Sequence, residues 1–280
     1  MVIPNRPISL LAVVLAFCQI QCSGPAPIPT AGLQLWLKAD AGVTLNGSSV
    51  SRWADQSGNG NDAIQLNSQR QPLLVKDGLS GKPTIRFDGL DDRLGLTGSK
   101  RMTQISFFMV FKMDSDTFAD DDPIVFGDID ADGHVWGMAL VNELTGYSPD
   151  TINIYSGFNG VHAVVPRRVT LGMWHTISVV TDGVMWNTQL RANGVDAQVT
   201  HMHDFNMFIS VPIGNPTGTG IGGIGGTDGV RPPIGRTATN CDVAEVILYD
   251  TVIPDSLRRL VEQYLAQKYQ FPPAGEVTSR

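Results

Sequence analysis

The chain is poor in cysteine, in charge and above all in cations. It has three cysteines in 280 residues. Two of them, Cys18 and Cys22, lie in an N-terminal apolar stretch. Removal of that stretch leaves Cys241 alone, so neither a disulfide framework nor a cysteine zinc site can be built. Charged residues make up 17 % and hydrophobic ones 42 %, against ~25 % charged in an ordinary domain. Low charge with ample apolar mass excludes an intrinsically disordered chain. It also excludes a coiled coil, whose heptads need abundant Ala, Glu, Lys and Leu. Acids outnumber Lys and Arg by 27 to 20, for a net charge of −7. Nucleic-acid binding rests on a basic surface, so no nucleic-acid partner is expected. No apolar run reaches the ~20 residues needed to cross a bilayer. Also missing are the Gly-x-Ser-x-Gly elbow, the His-Glu-x-x-His zinc motif and a phosphate-binding glycine loop. The glycine spacing from Gly218 to Gly226 follows no strand–helix–strand unit and does not signal a dinucleotide.

What is present begins with an export signal over residues 1–24. Arg6 supplies the positive end, residues 8–18 a short apolar core, and Ser23-Gly24 small residues for cleavage. A secreted, periplasmic or cell-surface protein follows from this reading. A lipid anchor at Cys18 or Cys22 is the weaker alternative, because Phe17 and Gln21 before them are larger than such sites usually carry. Residues 25–31 read as a proline-rich linker, 32–271 as one domain and 272–280 as a tail. One β-sandwich of this length buries a sizeable core without crosslinks.

After the linker the pattern has period two. Leu33, Leu35 and Leu37 alternate with Gln34, Trp36 and Lys38, as in a half-buried strand. Similar short runs recur, separated by Asp77-Gly78, Asp88-Gly89, Asp132-Gly133, Asp182-Gly183 and Asn193-Gly194. Many short strands joined by such turns indicate a sandwich or barrel. One helix is predicted near the end. Pro254 and Asp255 suit its first turn, Leu257, Leu260, Val261, Tyr264, Leu265 and Tyr269 form an apolar stripe, and Pro272-Pro273 stops it. The Gly- and Thr-rich stretch 213–235 reads as a long loop.

Seven segments in order carry a family resemblance: GLQLWLKADAGV from Gly32, WADQSGNGNDA from Trp53, KPTIRFDGLDDRL from Lys82, ISFFMVFKM from Ile105, GMWHTISVVTDG from Gly172, RANGVDA from Arg191 and DVAEVILYDTVIPDSLRRLVEQYLAQKY from Asp242. Together they resemble the laminin-G-like, concanavalin A-like jelly-roll domains of secreted bacterial proteins, over nearly all of residues 31–270. The resemblance implies an all-β fold, a two-sheet antiparallel jelly-roll sandwich with one C-terminal α-helix. It also implies a binding or adhesive module, although the fold hosts lectins, hydrolases, lyases and protein-binding modules alike. Glucanases of this fold display Glu-x-Asp-x-x-Glu along one strand. Here the nearest fragment, Glu245 to Asp250, lacks the middle acid.

Several residues are candidates for chemistry. Asp128, Asp130 and Asp132, on alternate positions before Gly133, offer hard oxygen ligands suited to calcium. Position twelve of that run is Ala139, so this is no helix–loop–helix site, and Asp120, Asp121 or Asp122 would have to assist. Trp136, Tyr155, Phe158 and Trp186 are candidate ligand-binding aromatics, since sugar C–H faces stack on such rings. Asp55 and Ser57 are expected to cap their own turn, as are Asp88, Asp91 and Asp92 around Gly89. Glu245 shares one face of a strand with Val243, Ile247 and Tyr249 and is expected to have a structural partner. Trp36, Trp53 and Trp174 read as core or sheet-edge residues. The leading function is an exported, non-catalytic module for an extracellular glycan or surface polysaccharide. A polysaccharide hydrolase or lyase on the same fold is the alternative, and a surface-protein adhesion module the third.

Overall fold

The computed structural model describes residues 27–98, 100–102, 104–114, 124–129, 135–141, 151–156, 159–164, 171–183, 187–201, 211–213, 220–221 and 239–272. Within them the elements begin with β1 (Leu33–Lys38), β2 (Val43–Asn46), β3 (Ser49–Trp53), β4 (Ala63–Ile64), β5 (Leu73–Leu79), β6 (Lys82–Asp88) and β7 (Leu94–Leu96). Next come β8 (Lys100–Met102), β9 (Ile105–Met113), β10 (Ile124–Ile129), β11 (Val135–Val141), β12 (Thr151–Ser156) and β13 (Asn159–Val164). The chain ends with β14 (Trp174–Thr181), β15 (Gln189–Ala192), β16 (Val195–Asp196), β17 (Gln198–His201), β18 (Val211–Ile213), β19 (Gly220–Ile221), β20 (Asn240–Tyr249) and α1 (Asp255–Tyr269).

Among the described residues every strand pairing is antiparallel, and the network folds over in two layers. At the centre of the first layer β20 pairs with β9 on one edge, and with β6 and then β1 on the other. Beyond β9 lie β14, β15 and β16, and beyond β6 lies β5. The second layer runs β2, β3, β4, β7, β19, β10, β11, β12, β13, β17. A single Ser49–Leu73 pairing links the layers, and β8 pairs separately with β18. The jelly-roll expectation of an all-β sandwich with a C-terminal helix is met.

Strand β9 shows why the first layer sits in the middle of the molecule. Its residues are buried on both sides, so its sequence is a continuous apolar run rather than an alternation. Phe107, Met109 and Phe111 enter the core between the layers, with Leu35, Leu37, Trp53, Phe126 and Leu248. Phe108 and Val110 point the other way, into a second cluster with Ile247, Tyr249, Val261, Leu265 and Tyr269 beneath α1. The first layer is therefore sandwiched between the second layer and the helix.

Two expectations are corrected here. A register shift between Val243 and Glu245 breaks the alternation of β20. Val243 consequently joins Val246 and Leu248 in the inter-layer core, while Ala244, Ile247 and Tyr249 lie under the helix. A bulge adds one residue and swaps the faces beyond it. The helix stripe is also rotated from the expected one. Its buried residues are Arg258, Val261, Tyr264, Leu265, Lys268 and Tyr269, while Leu260 is 44 % exposed. Arg258 and Lys268 lay their apolar stems on the sheet and find acceptors there. That turns Leu260 outward.

The N-terminal approach to the domain is also tied down. Ile28 is buried in the cluster under the helix, and the Tyr249 hydroxyl donates to the Pro29 carbonyl at 2.9 Å. Val261→Asp should therefore cost about 3 kcal/mol or more, since it buries an unpaired charge. Leu260→Asp should stay within about 0.5 kcal/mol of the parent, as a surface change. Denaturant melts of the two variants check this; equal losses would place the buried stripe where the sequence alone put it.

Candidate functional site

Among the described residues, Glu245 is one of the most densely bonded acids. It is fully buried and accepts four hydrogen bonds. Trp36 Nε1 and the Tyr264 hydroxyl donate to Oε1 at 2.6 and 2.9 Å. Lys268 Nζ and the Tyr269 hydroxyl donate to Oε2 at 2.8 and 2.9 Å. Lys268 also reaches Asp40 at 2.9 Å. Burial, and then the Glu245 charge, push both tyrosine hydroxyls far above their usual range, so they remain donors. The carboxylate pins β20, β1 and α1 together. The expectation of a structural partner holds, but there are four partners, not one. The sequence signal was a lone acid in an apolar strand, together with a tyrosine, a lysine and a second tyrosine at helical spacing.

The WADQSGNGNDA segment also serves the fold. Strand β1 pairs with β20 on one edge only, and the loop 55–61 closes the other with side chains. Asp55 Oδ1 accepts from the Trp36 and Ser57 amides at 2.9 and 2.8 Å. Its Oδ2 accepts from the Ser57 hydroxyl at 2.6 Å. Asn59 and Asn61 donate to the carbonyls of Leu33 and Gln34 at 2.8 and 2.7 Å, and the Gln56 amide to that of Trp36 at 2.8 Å. An unpaired edge invites pairing with another chain; here the loop occupies it.

A third acid, Asp242, is buried against a bidentate Arg86, with both bonds 2.7 Å, and against Lys112 at 3.3 Å. Near the start of α1, buried Arg258 donates to the Ser178 hydroxyl and carbonyl and pairs with Glu262 at 3.2 Å. Burial pulls the Arg258 pKa below its ordinary value. Arg191 joins this group through Asp196, Asp255 and Glu262.

The β6–β7 turn draws Asp88, Asp91 and Asp92 together, with carboxylate oxygens all within 4.8 Å of one another. Asp88 Oδ1 accepts from the amides of Leu90, Asp91 and Asp92 at 2.8, 3.3 and 3.4 Å. Asp92 Oδ2 accepts from the Asp88 amide at 3.1 Å. These acids do cap their own turn. Burial first, and then Asp88 and Asp91, push the Asp92 carboxyl up to about 6.

The other candidates fall as follows. Asp130, Asp132, Phe158 and Trp186, with Asp120, Asp121 and Asp122, lie outside the described residues. Asp128 stands on β10 opposite Trp136 of β11, which is opposite Ser156 of β12. The direct cross-strand neighbours of Tyr155 on β12 are Gly137 on β11 and Gly160 on β13. Trp53 is fully buried in the core. Trp36 sits between Lys38 and Tyr264, and Trp174 lies beside Lys112.

Removing the Glu245 carboxylate should take the acceptor from the Trp36 indole N–H and the Tyr264 hydroxyl, and leave buried Lys268 with Asp40 and the Tyr269 hydroxyl with the Ala244 carbonyl. Glu245→Ala is expected to lose about 3–5 kcal/mol, the range for breaking a buried ion pair by removing one partner. Chemical denaturation measures it, and a loss under about 1 kcal/mol would contradict the structural role.

No family model matches the chain, and no curated protein matches it. Among solved structures it is similar to Trypanosoma rangeli sialidase in complex with 2,3-difluoro-KDN. The TM-score is 0.53 and the identity 16 %, covering 91 % of this chain and 36 % of that one. The same sialidase with 2,3-difluorosialic acid, as a covalent intermediate, gives a TM-score of 0.52 at 15 % identity over 91 % and 35 %. With the inhibitor DANA it gives 0.52 at 14 % over 85 % and 34 %. This chain therefore spans about a third of the length of those proteins. At such identities the likeness is one of fold: a sheet-rich architecture compatible with a jelly roll.

Proposed function

We propose that this is an exported, non-catalytic module that binds an extracellular glycan or surface polysaccharide, with Tyr155 as its aromatic contact. The position of Tyr155 carries the reading. In the register it stands beside a glycine on each neighbouring strand, Gly137 and Gly160. Glycine brings no side chain next to that position, and sugar C–H faces stack on aromatic rings. Two further features support binding over turnover. Among the described residues, the buried acids Asp92, Asp242 and Glu245 are each engaged by the fold, whereas a glycosidase needs two carboxyl groups free to flank the scissile bond. The low charge of the chain also suits a neutral, hydroxyl-rich ligand better than a polyanion. Calcium held by Asp128, Asp130 and Asp132 belongs to the same proposal, as a support for the end of β10.

The test is affinity electrophoresis in gels containing neutral and acidic polysaccharides, with calcium or with chelator. Binding is expected to be micromolar or weaker, because shallow contacts leave only a few kcal/mol net. Tyr155→Ala should lower retention about tenfold while preserving the melting curve, and chelator should weaken retention. Release of reducing ends or unsaturated products, lost on changing one carboxylate, would favour the hydrolase or lyase. Absence of retention on every glycan would favour protein adhesion.

A further inference from the structure

The acids of the β6–β7 turn are crowded in a way that their capping role does not require. Asp92 is only 7 % exposed, yet the carboxylates nearest to it belong to Asp88 and Asp91. Two ionised acids at such a distance repel, and burial of the third removes the water that would screen them. Among the described residues no cation is paired with Asp92. Arg70, on the 3-10 turn Ser68–Arg70, reaches Asp91 at 3.7 Å, and Arg86 and Lys112 are committed to Asp242. Arg93, the next residue, is buried, and its amide donates to the Arg70 carbonyl. From β20, the turn meets Asn240 and the buried thiol of Cys241, which burial raises well above its ordinary range, with Asp242, Asp114 and Asp92 adding to the shift.

We propose that the β6–β7 turn is a proton-operated latch, closed when Asp92 carries a proton and loosened when all three acids are ionised. A neutral Asp92 has a hydroxyl to share with the Asp88 or Asp91 carboxylate, and its other oxygen still accepts the Asp88 amide. Ionised Asp92 returns that proton to solvent, and the turn then holds three like charges against one another. The turn cannot adjust by sliding inward. Gly89 has φ of +77°, and a Cβ there would meet the Asn240 amide nitrogen at 2.9 Å, so the turn is already pressed on the start of β20. Relief comes by moving outward, toward the exposed Leu90.

The sign follows from linkage. A carboxyl whose folded-state pKa is raised to about 6 holds its proton more tightly folded than unfolded. Its stabilising contribution is complete below the unfolded value near 4 and is lost as the pH rises through about 6.

The experiment is a carbon-13 carboxyl titration of the purified protein, paired with amide exchange at Leu90, Asp91 and Asp92, corrected for intrinsic rates. Asp92 should titrate near pH 6, and protection at these amides should fall about tenfold between pH 5 and pH 7.5. Asp92→Asn should hold the protection constant across that range. The exposed Asp91→Asn should move the Asp92 midpoint down, because it removes one facing charge. An Asp92 midpoint near 4, pH-independent protection in the parent, or a midpoint unmoved by Asp91→Asn would each overturn the latch.

Discussion

A buried carboxylate with four donors ties the first layer to the helix that covers it. Burying an ionised acid alone is prohibitive, and the cost is met only where geometry supplies a countercharge and fills the remaining lone pairs. Glu245 meets that condition only if Trp36 on β1 and Tyr264, Lys268 and Tyr269 on α1 arrive together. The bulge in β20 makes this possible, because it leaves Glu245 under the helix while Val246 and Leu248 return to the inter-layer core. The helix is therefore part of the sandwich, and β9 and β20 are apolar on both faces because both faces are covered.

That constraint propagates outward. β1 is fixed to β20 by its backbone and to Glu245 by Trp36, so its second edge lies at a defined place, which the Asp55–Asn61 loop seals. The Tyr249 hydroxyl and Ile28 draw the chain just before β1 into the same corner. Acids, amides and hydroxyls on this side of the molecule are spent on cohesion. On the second layer the register sets Tyr155 between Gly137 and Gly160, the position on which the proposed glycan contact rests.

What the sequence discloses tracks how local the physics is. The alternation of β1 is legible in Leu35 and Leu37, whose burial follows from strand geometry, whereas Leu33, beyond a register shift, joins the cluster under the helix. The capping roles of Asp55 and Asp88 are legible because they act within a few residues. The β20 bulge is not, since nothing in AEVILY marks where two residues will face one. Leu260 misleads because helical periodicity weighs hydrophobicity, whereas the sheet beneath offers Ser178 and Glu245, which select Arg258 and Lys268. Edge sealing by Asn59 and Asn61 depends on a strand more than twenty residues away and could not be foreseen from the turn itself. Trp136 and Tyr155 look equivalent in sequence; in the register Trp136 stands opposite Ser156, and Tyr155 opposite Gly137 and Gly160.

The most direct measurement is a double-mutant cycle between Glu245 and Lys268, using Glu245→Gln, Lys268→Met and the pair, in equilibrium denaturation. If the carboxylate and its ammonium partner hold the helix to the sheet, the two changes should couple by about 2 kcal/mol or more, with the double variant little worse than either single one. Additive losses, with coupling below about 0.5 kcal/mol, would show that α1 is held by its apolar contacts alone and would contradict the account.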